Sequence, residues 1–198
     1  MAKKVRVAAP FCHRACSQAR GERLAVLSDT DILKRLRSGS LGVDPFVEAN
    51  LTPNGYDLTL GQIQVAGRRL VEKGTVKLKP GGWFAVATRE RVRFPDDLTG
   101  ELWLRSSHIR KGLITAFGRV DAGFEGNLTL TGFNAGKGTV QLSVGDRYCQ
   151  LVFVELSSRA ARPYAKRSGN YQGQSGITLD AFEAKLKGAA APRRPKRR

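Results

Sequence analysis

The chain has 198 residues, 41% of them hydrophobic, and a formal net charge of +17. That length supports one domain with a proper core plus tails, and no apolar run reaches the ~20 residues needed to span a membrane. Of the 34 Lys and Arg, 13 lie in residues 1–25 and 181–198, against 2 of the 17 Asp and Glu, so the ends carry +11 and the middle +6. A basic tail without interleaved aromatics argues against a nucleic-acid reader. The moderate charge of the middle suits a polyanion as small as a nucleotide. Cys12, Cys16 and Cys149 cannot close a disulfide set, and no apolar leader precedes them, so the expectation is a reduced, cytoplasmic protein. Cys12, His13 and Cys16 lack the further ligands of a structural zinc site, since the only other His is His108.

In chain order, residues 1–26 are basic and aperiodic and read as a disordered extension. Ser28-Asp29-Thr30-Asp31 has the pattern of a capping box. Leu27 and Ile32 sit at staple spacing, Ile32, Leu33 and Leu36 share a face, and Gly39 supplies a stop. This predicts a helix over 29–38, followed by a loop from Gly42 to Pro53. From Tyr56 to Leu156 the pattern is short alternating or β-branched runs, punctuated by Gly, Pro and Asp about every ten residues. That spacing predicts a mainly β domain, a sandwich or barrel. Residues 157–176 are rich in Ser, Arg, Gly and Gln and read as an arm that is mobile, or ordered by a ligand or neighbouring subunit. The domain is expected over 27–180, with a basic disordered tail over 181–198.

Polar clusters interrupt the β pattern. Asp57 enters a strand in GYDL. Arg105, Ser106, Ser107 and Arg110 fall within six residues and suit phosphate, with guanidinium forks and hydroxyl donors. Asp121 opens a Gly-bounded turn, Asp121-Ala122-Gly123-Phe124-Glu125-Gly126, which predicts a hairpin between its flanking segments. Gly145-Asp146-Arg147-Tyr148-Cys149-Gln150 is a turn feeding the most hydrophobic strand. No P-loop, dinucleotide fingerprint, HExxH or zinc-deaminase signature is present. Ser106, His108 and Asp121 lack the elbow of a nucleophilic triad.

The order GYDL, RSS, VDAGFEG, GDRYCQL, NYQGQ resembles the superfamily of trimeric dUTP diphosphatases and dCTP deaminases, over about Leu27 to Leu179. The opening VLSDTDILKRL is similar to the start of the deaminase branch, which implies a domain start near Val26. The resemblance implies a distorted jelly-roll, the dUTPase-like β-clip, with one short N-terminal helix, in a homotrimer with shared active sites. By motif, Asp121 would activate water and contact the sugar, and Phe124 would lie beneath the deoxyribose. Arg105, Ser106, Ser107 and Arg110 would contact phosphates. Asp57 and Gln150 would place phosphates and hydrated Mg²⁺. Tyr164 and Gln174 would close the site from the arm, and Thr129, Leu130 and Thr131 would line it.

The two branches differ in chemistry. Family deaminases carry a Glu before the aromatic-Asn pair as a proton shuttle, where this chain has Thr129-Leu130-Thr131. A Thr hydroxyl is a poor general base. The expectation is therefore a dUTP diphosphatase, hydrolysing dUTP to dUMP and pyrophosphate by attack of Asp121-activated water on the α-phosphorus, with Mg²⁺. The alternatives are a dCTP deaminase, a bifunctional deaminase and diphosphatase, or a non-catalytic nucleotide-binding module.

Overall fold

The computed structural model describes residues 25–180. The expectations for both basic ends, and for Cys12, His13 and Cys16, lie outside the described residues. Helix α1 spans Asp29–Arg37, and the Ser28 side chain accepts a hydrogen bond from the Asp31 backbone N–H. The acidic first turn and basic last turn suit the helix dipole, and Ile32 is fully buried.

The strands are β1 Gly42–Asp44, β2 Leu51–Thr52, β3 Gly55–Val65, β4 Thr75–Leu78, β5 Trp83–Arg93, β6 Leu98–Leu104, β7 Leu113–Thr115, β8 Arg119–Val120, β9 Glu125–Asn134, β10 Val140–Ser143 and β11 Arg147–Glu155. Two four-residue helices, α2 Ser106–Ile109 and α3 Tyr164–Arg167, complete the described elements, with a 3-10 turn at Glu48–Asn50. The stretch expected as a plain loop from Gly42 therefore carries β1, the 3-10 turn and β2. β1 pairs with β5 and β2 with β3, contacts that local sequence does not announce.

All pairings are antiparallel. One nine-stranded sheet runs β7-β9-β5-β3-β11-β6-β8 with β1 and β2 at its sides, and β10 pairs with β4 separately. Register shifts in β3, β5 and β11 break the ladders, and such bulges bend a sheet onto itself. The fold is thus mainly β, a curled jelly-roll-like sheet. Its core is continuous, from Ile32 and Leu41 through Tyr56, Leu58 and Ile63 to Phe84, Phe94, Leu128, Tyr148 and Phe153. No helix among the described residues is long and apolar enough to cross a membrane.

The turn at Asp121 is not a hairpin. β8 pairs with β6 through Gly100 and Glu101, whereas β9 pairs with β5 and β7. The turn instead carries the chain between two arms of the curled sheet. It closes on itself by Phe124 N–H to Asp121 C=O (3.1 Å) and is pinned to Phe94-Pro95 by two backbone bonds.

Candidate functional site

β9 organises the site. Along it Gly126, Leu128, Leu130 and Gly132 are buried while Asn127, Thr129 and Thr131 are half-buried on the opposite face, as strand alternation requires. Its register with β7 covers only Gly132–Asn134, so the edge before Gly132 lacks that neighbour.

The arm fills part of this edge. Asn127 N–H donates to Gln174 C=O (3.1 Å), Gly173 N–H donates to Glu125 C=O (2.7 Å), and the Gln174 side-chain amide donates to Asn127 C=O (2.6 Å). Thr129 Oγ1 donates to Gly176 C=O (3.2 Å) and accepts from Thr178 N–H (3.0 Å). The backbone groups of Asn127 point at the arm, so by alternation those of Thr129 and Thr131 face the same open edge. The arm, expected to be mobile or to need a ligand or neighbour, is therefore ordered against its own chain. Gln174 and Thr178 are buried. At Gly123 a side chain would collide: φ is 82°, and a Cβ would lie 2.5 Å from Pro163 Cβ.

Between arm and sheet lies a cavity of about 380 Å³. It brings together Asp121, Phe124, Thr129, Leu130, Thr131, Tyr164 and Gln174, seven of the residues expected from sequence. Phe124 packs edge-on against Tyr164, with ring centroids 5.5 Å apart. The Tyr164 hydroxyl accepts from Tyr171 N–H (3.1 Å), which fixes it at the rim. Leu130 borders the cavity, but its side chain belongs to the core. Tyr171, Thr178 and Arg119 also line the cavity and were missed. The NYQGQ run hinted at Tyr171, whereas nothing local marks Arg119.

The remaining expected residues stand apart. Asp57, Arg105, Ser106, Ser107, Arg110 and Gln150 do not line this cavity. Ser106 and Ser107 begin α2, with Arg105 at its cap. Asp57 is buried between guanidiniums, 3.1 Å from Arg105 Nε and 3.7 Å from Arg147 Nη1. Burial pushes its carboxyl up and the two guanidiniums oppose that.

Gln150 faces Asp57 across β11 and β3 and donates its amide to Thr52 Oγ1 (2.7 Å). With Asp57 engaged by two cations and Gln150 by a hydroxyl, these residues do not fit a Mg²⁺ seat. No group of three or more His, Cys, Asp or Glu among the described residues could hold a metal. His108 is buried with Nε2 3.1 Å from Arg147 C=O, which orients it away from any triad role. The sequence also gave no warning of Glu90. Its carboxylate is buried in β5 and accepts from both Thr59 N–H and Thr59 Oγ1 at 2.8 Å. Burial pushes it above the usual carboxylate range.

A family model described as dCTP deaminase-like matches residues 66–156. A protein of Thermococcus kodakarensis named dCTP deaminase is 44% identical over 140 residues, covering 69% of this chain and 88% of its own. A protein of Methanosphaera stadtmanae named "dCTP deaminase, dUMP-forming" is 35% identical over 182 residues, covering 77% of this chain and 91% of its own. The crystal structure of 2'-deoxycytidine 5'-triphosphate deaminase from Agrobacterium tumefaciens shares the fold with a TM-score of 0.59 at 19% identity. That match covers 67% of this chain and 48% of the other.

Proposed function

The chain belongs to the dCTP deaminase-like family of the dUTPase and dCTP deaminase superfamily, and from that premise we propose that it binds dCTP beneath the arm and deaminates it. The expectation of a dUTP diphosphatase is corrected by relatives at 35–44% identity that are named as dCTP deaminases. That expectation chose between the two branches on one side chain, Thr131. Asp121 lines the same cavity as Thr131, so a carboxylate is present where the hydroxyl alone would not serve.

One observation carries the proposal: a single cavity joins the Asp121 carboxylate, the Phe124 ring and the open backbone edge at Thr129 and Thr131. Backbone N–H and C=O groups can pair with the edge of a pyrimidine. Phe124 offers a sugar an apolar floor, and Tyr164, Tyr171 and Gln174 close the space above it. As water adds to C4 of cytosine, Asp121 takes one of its protons and passes it to the departing amino group, and the remaining proton of the adduct's hydroxyl ends on N3 as C4=O forms. Ammonia leaves and a uracil nucleotide remains, so dCTP and water give dUTP and ammonia.

Assembly into a homotrimer completes the proposal. The Arg105–Arg110 turn, which lies off this cavity, would then reach a nucleotide on a neighbouring copy. The exposed apolar side chains Trp103, Ile109, Ile114 and Phe133 support this as a surface suited to burial between copies. Light scattering showing a monomer at working concentration would refute the assembly. For the reaction itself, purified protein is incubated with dCTP and the products resolved. Ammonia with dUTP, or with dUMP if hydrolysis follows, is expected. Absence of ammonia would refute deamination.

A further inference from the structure

We propose that Thr88 and Asn127 are positioning residues: they lock a bulge in β5 and thereby hold the base-reading edge of β9 at its working distance from the Asp121 carboxylate. This role rests on the deamination reading of the cavity and deepens it.

β9 is paired with β5 in two separate halves. Residues 125–127 pair with 93–91, and residues 129–133 pair with 87–83. Between the halves, the four steps from Ala87 to Arg91 face only the two from Thr129 to Asn127. The ladder is therefore broken, and β5 bulges at Thr88, Arg89 and Glu90. The first half of β9 follows directly from the Asp121 turn, which is pinned to Phe94 and Pro95 just beyond it. The second half carries the open edge at Thr129 and Thr131. The bulge is thus the joint between the carboxylate and the groups that read the base.

Side chains replace the missing ladder bonds. Leu128 N–H donates to Thr88 Oγ1 (2.9 Å), and the same hydroxyl donates to Glu90 C=O (2.8 Å). The Asn127 side-chain amide lies 3.0, 3.3 and 3.1 Å from the carbonyl oxygens of Thr88, Arg89 and Glu90, so one NH₂ group gathers all three. From the other side the Glu90 carboxylate holds Thr59 of β3, and β3 passes so close that a Cβ on Gly61 would lie 2.9 Å from Arg89 N and Cα. Thr88 is buried, and neither Thr88 nor Asn127 lines the cavity, so both act on the reaction through geometry alone. A displacement of about 1 Å between reacting groups costs on the order of a hundredfold in rate. Phe124, the arm and the edge would still hold the nucleotide, so loosening the joint lowers kcat more than it weakens binding.

The test compares wild type with Thr88→Val, Thr88→Ser and Asn127→Ala in the full chain. It combines kinetics on dCTP, calorimetric binding of α,β-imido-dUTP (a product analogue that neither deamination nor hydrolysis consumes) and crystal structures. Thr88→Val and Asn127→Ala should lower kcat by about tenfold or more while the analogue's Kd changes by less than about threefold. Thr88→Ser keeps the hydroxyl and should restore kcat to near wild type. In the crystals, Asp121 should shift relative to the Thr129 backbone in the two impaired variants and not in Thr88→Ser. Unchanged kcat in both Thr88→Val and Asn127→Ala would overturn the role. So would an equal loss in Thr88→Ser and Thr88→Val, or a loss of kcat matched by an equal loss of affinity, which would mean a generally loosened fold. If wild type releases no ammonia from dCTP, the deamination reading falls and the crystals decide the positioning role alone: a shifted Asp121 supports it and an unmoved one overturns it.

Discussion

Gln174→Ala tests whether the arm is held by its own chain. Gln174 is 5% exposed, and its side-chain amide donates to Asn127 C=O at 2.6 Å. Losing one neutral hydrogen bond and one buried methylene costs about 2 kcal/mol, which makes opening of the arm roughly 30-fold more frequent. Three amides report on that opening because their acceptors lie across the contact: Gly173 to Glu125 C=O, Asn127 to Gln174 C=O, and Thr178 to Thr129 Oγ1. Hydrogen exchange at all three should accelerate together by that factor, with core amides in β3 and β11 unaffected. The KM for dCTP should rise in step, since Tyr164, Tyr171 and Gln174 close the cavity. Unchanged protection at Gly173 and Thr178, with the substitution verified, would refute in-chain closure.

Other expectations concern the groups beneath the site. Glu90 is held above the usual carboxylate range by burial. Its contribution to stability is therefore full below the ordinary Glu range and lost as pH rises through the raised value. Glu90→Gln keeps an acceptor for Thr59 N–H, so its urea midpoint should gain on wild type with rising pH. A constant difference would count against a buried charge. His108 is shifted down, first by burial, then by Lys111 and Arg105, and its Nδ1 has no partner. The stability it contributes is full above the ordinary His range, about 6.5, and lost as pH falls through the lowered value. His108→Leu should flatten the acid limb of a melting-temperature profile, and an unaltered limb would exclude His108 as its source. Asp121→Asn should lower kcat by a hundredfold or more, on the order of a general base's contribution, while dCTP still binds. Retained kcat would remove Asp121 as the proton acceptor.

What the sequence revealed was local. Ser28 capping α1, the alternation in β9 and the Gly-bounded turn at Asp121 each depend on neighbouring residues, and all appear in the fold. What it hid depends on distant pairing. The segments flanking Asp121 look like a hairpin because each alternates, yet β6 and β5 claim them separately. Glu90 looks like a solvated strand residue until Thr59, 31 positions earlier, supplies both of its donors. The arm lacks a hydrophobic period because it is held by hydrogen bonds, two backbone pairs to Glu125 and Asn127 and the side chains of Gln172, Gln174 and Thr129, with only Tyr164 and Tyr171 packed against the core. The reaction was not legible at Thr131: the residue type there removes one proton carrier, but does not say whether Asp121, ten positions earlier in the same cavity, acts at phosphorus or at the base ring.

The central claim is deamination of dCTP in the cavity at Asp121. Its most direct measurement is ammonia release from dCTP by purified protein, with the nucleotide product resolved alongside. Stoichiometric ammonia with a uracil nucleotide is expected, released a hundredfold or more slowly by Asp121→Asn. Recovery of unchanged dCTP, or of dCMP without ammonia, would contradict it.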